Sequence, residues 1–286
     1  MPDYQTLIGA SELAQHLDEP SWRVVDCRFD LMEPAKGLVE YRRHHIPGAQ
    51  YADLDRDLAG RVTGSTGRHP LPSPAVFADT LGGWGIGNDS QVVVYDHAGG
   101  AIAARLWWML NWVGHERVAV LDGGYRAWRE AGYTLSDGDE NVDRSDFAPD
   151  PDAGLVISTD ELESLLATGQ APSIVDARDS ARYAGDREPL DRVAGHIPGA
   201  VNHPFSESLQ PDGAWKGRDE LKARWGRVLG DQLSWISMCG SGVTACHLVL
   251  SARLAGIPAP RLYVGSWSEW IRDPGRPVAT GPGRPR

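Results

Sequence analysis

One cysteine has neighbours that suit nucleophilic chemistry. Cys239 ends an apolar run, Ser234-Trp-Ile-Ser-Met238, and opens the loop Gly240-Ser-Gly-Val-Thr244 before a helical pattern over His247–Leu254. Ligands of parallel α/β sheets bind where strands end. The N–H groups of such a turn and of the following helix should favour a thiolate and hold an anion beside it. The alternative is a buried small hydrophobe, but the glycine-containing loop favours a nucleophile.

The other two cysteines suit packing better than chemistry. Cys27 adjoins an apolar run in the first half of the chain, and Cys246 lies one to two turns into the helix after the loop. Three cysteines cannot form a disulfide framework, and their spacing matches no metal site. We therefore expect no metal and two structural thiols.

The chain repeats itself, which determines how its elements are arranged. Four blocks recur in the same order, so the chain holds two copies of one domain. The aspartate of the first block and the histidine of the second are 19 residues apart in one copy and 20 in the other. The blocks are Val-Val-Asp26-Cys-Arg with Ile-Val-Asp176-Ala-Arg, His45-Ile-Pro-Gly-Ala with His196-Ile-Pro-Gly-Ala, Gln91–Asp96 with Ser234–Cys239, and Leu121–Trp128 with Tyr263–Trp270.

Each copy alternates short β-branched runs with helical patterns. Val92–Tyr95 suits a strand buried on both faces, and Ala101–Val113 has apolar residues at helical spacing. Ser158-Thr-Asp-Glu161 has the pattern of a capping box. The predicted fold is α/β, with two tandem domains, each a parallel sheet with helices on both faces. The predicted boundaries are a domain over 1–135, an acidic linker over 136–154 and a catalytic domain over 155–286.

Composition limits the partners. The 286 residues carry a formal net charge of −11, which argues against nucleic acid or an anionic membrane. An anionic substrate would need a local basic pocket. The first residues show no signal-peptide pattern, and Ala101–Val113, interrupted by Arg105 and Asn111, is too short to cross a bilayer. We expect a soluble cytoplasmic protein with reduced thiols.

The chain resembles the tandem-domain rhodanese family, the thiosulfate and 3-mercaptopyruvate sulfurtransferases. The repeated blocks carry the resemblance over nearly the whole chain, and the loop Cys239-Gly-Ser-Gly-Val-Thr244 is its most specific part. A loop with Gly240 and Ser241 after the cysteine is similar to the mercaptopyruvate type. The thiosulfate type usually has Arg and Lys there. The resemblance therefore favours 3-mercaptopyruvate as the donor, with thiosulfate as the alternative.

The resemblance also implies which residues bind the donor. An arginine that clamps the anion matches Arg182, whose guanidinium suits a carboxylate. A second arginine is expected about nine residues later, where Asp191 lies between Arg187 and Arg192. Either arginine could serve. The loop residues Gly240, Gly242, Val243 and Thr244 would bind the donor as well.

A proton relay is the third implication of the resemblance. In mercaptopyruvate enzymes, an aspartate and a histidine of the first domain act with the loop serine. The matching residues are Asp55, His69 and Ser241. The spacing before His69 is three residues longer here, and an ordinary turn histidine is the alternative.

The implied reaction is a double displacement. The Cys239 thiolate takes sulfur from a small anionic donor as a persulfide, and a thiol (thioredoxin or a small thiol) or cyanide then accepts it. No metal or organic cofactor is implied. A phosphatase with a Cys-x5-Arg loop is disfavoured because Ala245 stands where that arginine would be. A non-catalytic persulfide carrier is the remaining alternative.

Overall fold

The computed structural model describes residues 4–283 and divides into two compact units. Of the described residues, unit 1 comprises 4–60, 71–152 and 210–215, and unit 2 comprises 61–70, 153–209 and 216–283. The terminal residues 1–3 and 284–286, which the predicted domains include, lie outside the described part of the chain.

Unit 1 contains a five-stranded parallel sheet in the order β1-β5-β4-β2-β3. Its strands are β1 (Leu7–Ile8), β2 (Trp22–Asp26), β3 (Gln50–Tyr51), β4 (Gln91–Tyr95) and β5 (Val118–Leu121). Its helices are α1 (Ala10–His16), α2 (Ala35–Arg43), α3 (Pro74–Gly83), α4 (Ala103–Trp112) and α5 (Gly124–Glu130). The predicted strand and helix around Val92 and Leu106 are thus present as β4 and α4.

Burial on both faces explains the apolar sequence of β4. Val93 and Tyr95 pack in a core with Leu13 of α1 and Trp128 of α5. Alternate residues of a strand point to opposite faces, and Val94 is also fully buried where α4 contacts the sheet. A strand covered on both sides needs a continuous apolar run rather than an alternating one.

Unit 2 repeats this architecture with the strand order β6-β10-β9-β7-β8, again parallel. Its strands are β6 (Val156–Ile157), β7 (Ser173–Asp176), β8 (Val201–Asn202), β9 (Trp235–Met238) and β10 (Arg261–Tyr263). Its helices are α6 (Thr159–Ala167), α7 (Ser180–Ala184), α8 (Arg218–Leu229), α9 (Thr244–Ala255) and α10 (Ser266–Trp270).

At the start of α6, the first of the two hydrogen bonds of the predicted capping box is present. Ser158 precedes the helix in extended conformation, and its hydroxyl accepts a hydrogen bond from the Glu161 N–H at 3.2 Å. This bond satisfies one of the N–H groups that a helix start leaves unpaired.

On the sheet, Ile236 and Met238 of β9 pack with Trp267 of α10.

Each unit has a buried ion pair after its second strand. Arg178 donates to the Asp176 carboxylate at 2.6 Å, and Arg28 donates to Asp26 at the same distance. Both pairs are almost fully buried, and each arginine also donates to a backbone carbonyl, that of Gly195 or His44. The repeated Asp-x-Arg block therefore fixes the chain where it leaves the sheet.

The two units differ from the predicted linear division in three places. Residues 61–70, from the first half of the sequence, belong to unit 2, and residues 210–215 belong to unit 1. The predicted linker up to Asp152 belongs to unit 1 as well. Its backbone pairs with that unit: Ser136 exchanges hydrogen bonds with His45, and the Asp150 N–H donates to the Val113 carbonyl at 2.9 Å. The acidic composition thus marks an exposed segment that is nevertheless attached to unit 1.

Within residues 4–283, no helix combines the length and the apolar character that a membrane-spanning segment requires. The run Ala101–Val113 forms the buried helix α4 of ten residues instead.

Candidate active site

The start of α10 holds Cys239 at the end of β9. The Cys239 N–H donates to Ser266 Oγ at 3.1 Å, and the Cys239 carbonyl accepts from the Trp267 N–H at 3.0 Å. The next carbonyl, of Gly240, accepts from the Ser268 N–H at 2.9 Å. Ser266 has φ +52°, a conformation that side chains other than glycine seldom adopt. The loop is therefore fixed by backbone contacts and by one strained serine.

The Cys239 sulfur lies within the loop that follows it. Its side chain is 2% exposed, and the Gly242 N–H donates to Sγ at 3.1 Å. Gly242 has φ +79°, and a Cβ atom there would lie 2.5 Å from the Val264 carbonyl oxygen, so the loop requires glycine at this position. Val243 follows as the N-cap of α9. The N–H donor and the helix N-terminus both stabilise negative charge on the sulfur.

Ser241 and His69 form a buried hydrogen bond beside the cysteine. Ser241 Oγ and His69 Nδ1 are 2.8 Å apart, and both side chains are buried. The segment that carries His69 is held by its neighbours: the Arg68 N–H donates to Ser268 Oγ at 3.0 Å, and the Gly67 N–H donates to Glu269 at 3.0 Å. A hydroxyl two residues after a nucleophile, bonded to an imidazole, can pass a proton to or from a bound molecule.

Two guanidinium groups face the loop at Gly240. A Cβ atom on Gly240 would lie 3.0 Å from Nη2 of Arg68 and 3.3 Å from Nη2 of Arg182. Arg182 comes from α7, after the second strand of unit 2, whereas Arg68 comes from the segment 61–70. The loop residue next to Cys239 therefore lacks a side chain where two cations approach it.

Two carboxylates position these arginines. Glu188 accepts from Arg182 at 2.8 Å, and Asp191 accepts from both Arg182, at 3.2 Å, and Arg68. Burial alone would raise the pKa of Glu188, but its hydrogen bonds from Arg182 and from backbone N–H groups lower it. For Asp191, burial raises the pKa, and the cationic Arg68 opposes this effect. Each guanidinium next to Gly240 is thus held in place by at least one carboxylate.

The two candidates for a second arginine have other partners. Arg187 is largely exposed and faces Asp179 at 3.8 Å. Arg192 donates to the carbonyl oxygens of Ile271, at 2.5 Å, and Arg272, at 3.1 Å. The arginine that the structure brings to the loop beside Arg182 is Arg68 instead. In the described residues, these contacts of Arg187 and Arg192 are therefore with groups other than the Cys239 loop.

Asp55 belongs to unit 1. It is exposed, its N–H donates to the Asp53 carboxylate at 2.9 Å, and partial burial raises the pKa of its carboxyl group. Its part in a proton relay stays a prediction. Of the remaining loop residues, Val243 is buried and Thr244 half-buried at the start of α9.

The other cysteines are packed, as predicted. Cys246 is fully buried, and its thiol donates to the Gly242 carbonyl at 3.3 Å. Cys27 is also fully buried, and burial together with the nearby Asp26 carboxylate raises the pKa of its thiol well above the usual range. In the described residues, no cluster of three or more His, Cys, Asp or Glu side chains could hold a metal ion.

Arg68 is the site residue that sequence reasoning missed. It lies more than a hundred residues before Cys239, so no local pattern connects the two. One signal was present: Asp191, a carboxylate, occupies the position where the resemblance leads one to expect a cation. A buried carboxylate needs a positive partner, and that partner had to come from another segment.

A profile of the rhodanese-like domain matches the chain twice, over residues 9–131 and 158–273. The chain belongs to the rhodanese family. This result confirms the predicted fold class and the tandem domains. The chain is 49% identical to a Pseudomonas aeruginosa protein named "Probable 3-mercaptopyruvate sulfurtransferase", over 96% of this chain and 98% of that protein.

Two further comparisons bear on the donor. A thiosulfate sulfurtransferase of Rattus norvegicus is 36% identical, over 94% of this chain and 93% of that protein. The structure of a 3-mercaptopyruvate sulfurtransferase from Leishmania major matches with a TM-score of 0.83 at 33% identity, covering 94% of this chain and 75% of that one. These rhodanese relatives agree on sulfur transfer and differ in the donor that their names give. The predicted sulfurtransferase is confirmed.

Proposed function

We propose that this rhodanese transfers sulfur from 3-mercaptopyruvate to a thiol through a persulfide on Cys239. The hydrogen bond between Ser241 and His69 is the observation that favours mercaptopyruvate as the donor. It joins two buried groups at 2.8 Å, one of which lies two residues after the nucleophile, and the departing three-carbon fragment of mercaptopyruvate needs a proton.

In the first half-reaction, the Cys239 thiolate attacks the donor's thiol sulfur and forms the S–S bond. The C–S bond breaks, and its electron pair stays with carbon as the enolate of pyruvate. Ser241, bonded to His69, supplies the proton that converts the enolate to pyruvate. The sulfur remains on Cys239 as a persulfide, which the Gly242 N–H and the start of α9 stabilise as an anion.

Binding of the donor uses the arginines near Gly240. We assign the carboxylate of mercaptopyruvate to Arg182, because a guanidinium presents two parallel donors to a carboxylate. Arg68 adds a second cation on the same side of the loop. The backbone N–H groups of Gly240, Gly242, Val243 and Thr244 would complete the cradle around the reacting sulfur.

In the second half-reaction, an acceptor thiolate attacks the outer sulfur of the persulfide. The S–S bond breaks, the pair of electrons returns to Cys239 as a thiolate, and the acceptor leaves with the sulfur. Thioredoxin or a small thiol would serve in a reducing cytoplasm, and cyanide would serve in an assay. The three free cysteines suit such a compartment.

One observation favours thiosulfate as a second candidate donor. The loop carries no lysine, but Arg68 and Arg182 both approach Gly240, and two guanidiniums match a doubly charged anion. Attack by Cys239 on the outer sulfur of thiosulfate releases sulfite, which leaves with its electron pair and requires no proton. The two donors should therefore depend differently on Ser241.

Ser241→Ala separates the two donors. We expect kcat/KM for mercaptopyruvate to fall about tenfold or more, roughly 1.4 kcal/mol of transition-state stabilisation, with a smaller loss, under about threefold, for thiosulfate. Steady-state kinetics with both donors on one preparation measure this. Thiosulfate is the internal control for folding and for the nucleophile.

A double-mutant cycle with His69→Asn tests the relay itself. Residues in direct contact should show non-additive losses of kcat/KM with mercaptopyruvate. Equal losses with both donors in Ser241→Ala, or strictly additive effects in the cycle, would assign Ser241 to the loop structure and remove the reason for preferring mercaptopyruvate.

A further inference from the structure

Unit 1 has a cavity at the point of its sheet where the catalytic loop stands in unit 2. The chain leaves β2 towards β3 on one side and β4 towards β5 on the other, so a crevice opens outside the ends of these two central strands. A cavity of about 490 Å³ lies there. Arg28, after β2, and His97, after β4, both line it.

The cavity is lined with positive charge in a chain whose net charge is −11. Lys36 and Arg43 of α2 and Arg129 of α5 face it, and Glu40 is the one carboxylate in its lining. Lys36 lies 3.3 Å from Asp30. In the described residues, by contrast, neither Arg43 nor Arg129 has an ion pair.

These two arginines are exposed. Arg129 lies over the ring of Tyr125, another lining residue, at 5.9 Å from the ring centroid. Other arginines on the same helices are paired instead: Arg42 with Asp139 at 2.8 Å and Arg126 with Glu130 at 2.9 Å. Arg43 and Arg129, which have no ion pair in the described residues, thus face the cavity, whereas Arg42 and Arg126 of the same two helices are paired and do not line it.

At the floor of the cavity, donors are already bonded to carboxylates of the chain. Arg28 is engaged by Asp26 and lies 4.0 Å from the Tyr125 ring centroid, so it forms a fixed floor. The loop after β4 donates four N–H groups to the Asp96 carboxylate, at 2.8–2.9 Å. A ligand must therefore bind to the side chains above this floor, without a nucleophile beneath it.

We propose that this cavity of unit 1 is a binding site for a small anion with two or more negative charges on oxygen. Arg43 and Arg129 hold the anion by charge-assisted hydrogen bonds, and the exposed imidazoles of His44 and His97 provide further polar contacts. No cysteine lines the cavity, so the ligand binds without being consumed. The site is separate from the Cys239 loop and does not depend on the choice of sulfur donor.

Isothermal titration calorimetry of the full chain at low ionic strength tests the proposal. The probes are pyrophosphate and citrate, which distinguish a phosphate ligand from a polycarboxylate. We expect saturable binding of at least one probe, weakened about thirtyfold or more in Arg43→Gln/Arg129→Gln, since each guanidinium contributes a charge-assisted bond. The matched variant Arg42→Gln/Arg126→Gln should bind within about twofold of the parent chain, because its arginines lie outside the cavity.

The variant Arg182→Gln distinguishes binding of the probe in this cavity from binding of the probe at the Cys239 loop. This variant should keep the affinity for the probe, because Arg182 belongs to unit 2. Thermal unfolding of every variant checks that the fold is retained. The proposal is overturned if neither probe binds, if the Arg43/Arg129 variant binds like the parent chain, or if Arg182→Gln abolishes binding.

Discussion

The loop after β4 in unit 1 and the loop after β9 in unit 2 begin at the same point of the same sheet, but they are filled differently. In unit 1 the first residue is Asp96, whose two carboxylate oxygens accept four backbone N–H groups of its own loop. In unit 2 the first residue is Cys239, whose sulfur accepts one N–H, from Gly242. Unit 1 thus has a carboxylate of its own chain where unit 2 has the sulfur that we propose as the nucleophile.

The helix that clamps each loop differs in a related way. Gly124, at φ +58°, approaches Asp96 so closely that a Cβ atom would lie 2.4 Å from the Asp96 carbonyl oxygen. In unit 2 the corresponding position is Ser266, at φ +52°, whose hydroxyl accepts the Cys239 N–H. The same positive φ is thus adopted without strain by glycine in unit 1 and with strain by serine in unit 2. Strain of this kind is found where a residue must be held for function.

The same turn can therefore hold either a structural carboxylate or a cysteine that we propose as the nucleophile. Backbone N–H groups stabilise an anion whatever its source. A carboxylate built into the chain uses them permanently and leaves nothing for a substrate. A cysteine leaves that field available to the thiolate, the persulfide and the donor in turn.

The largest effect on stability is expected from Asp96→Ala. Four buried N–H groups would lose their acceptor, and we expect the free energy of unfolding to fall by about 4 kcal/mol. Cys239→Ala, at the matching position, should cost only about 1 kcal/mol, for a small packing loss. Urea unfolding gives the totals, and hydrogen exchange in β4 and β9 assigns them to units. A loss below about 1 kcal/mol for Asp96→Ala would mean that the built-in anion is not what stabilises its loop.

A second difference between the units should appear on acidification. The residue after the third strand is Ala52 in unit 1 and His203 in unit 2, and both donate their N–H to the second strand's last carbonyl. Burial, reinforced by the neighbouring Arg224, lowers the pKa of His203 to about 4, although Glu207 opposes this.

Stability falls on acidification because His203 binds a proton more readily in the unfolded chain than in the folded one. The contribution of His203 is fully present above its unfolded pKa, near 6.5, and is lost as the pH falls through about 4. The full loss is about 3 kcal/mol. Unfolding free energies of the parent chain and His203→Gln between these pH values should diverge in slope, the variant being flatter. Parallel curves would show that His203 binds its proton equally well in the folded and the unfolded chain.

The smallest of these effects is expected from Ser266→Ala. The variant keeps the strained backbone and removes the acceptor of the Cys239 N–H, so we expect a loss of about 1 kcal/mol and a few-fold lower kcat. Ser266→Gly, which reproduces the residue of unit 1, should recover part of the stability and none of the kcat. Thermal unfolding and steady-state kinetics measure the two quantities. Full recovery of kcat by glycine would reduce the role of Ser266 to backbone conformation alone.

Much of the fold could be predicted because the signals are local and occur twice. β4 and α4 follow from an apolar run and a helical spacing, and Ser158 caps α6 as its position indicates. The repeat then extends each assignment to the other unit. The segment 136–152 was harder, since its acidic composition indicates exposure but does not reveal that its backbone pairs with unit 1.

The placement of the candidate site residues could be predicted where it depends on the loop, but not where it depends on long-range contact. Cys239, Gly242 and Ser241 lie together because they are neighbours in sequence. The contact of His69 with Ser241 was expected only from the resemblance, and Arg68 was not expected at all. Both come from the segment 61–70, which packs into unit 2 through Glu269 and Ser268. No local pattern indicates which unit such a segment joins.

The central claim is that the difference between Cys239 and Asp96 makes one loop a sulfur carrier. Mass spectrometry of the peptide containing Cys239, taken after incubation with 3-mercaptopyruvate and without acceptor, tests it most directly. We predict the addition of one sulfur atom to that peptide, its loss when cyanide is added, and no addition in Cys239→Ser. Turnover without any added sulfur on Cys239, or the same turnover by Cys239→Ser, would contradict the account.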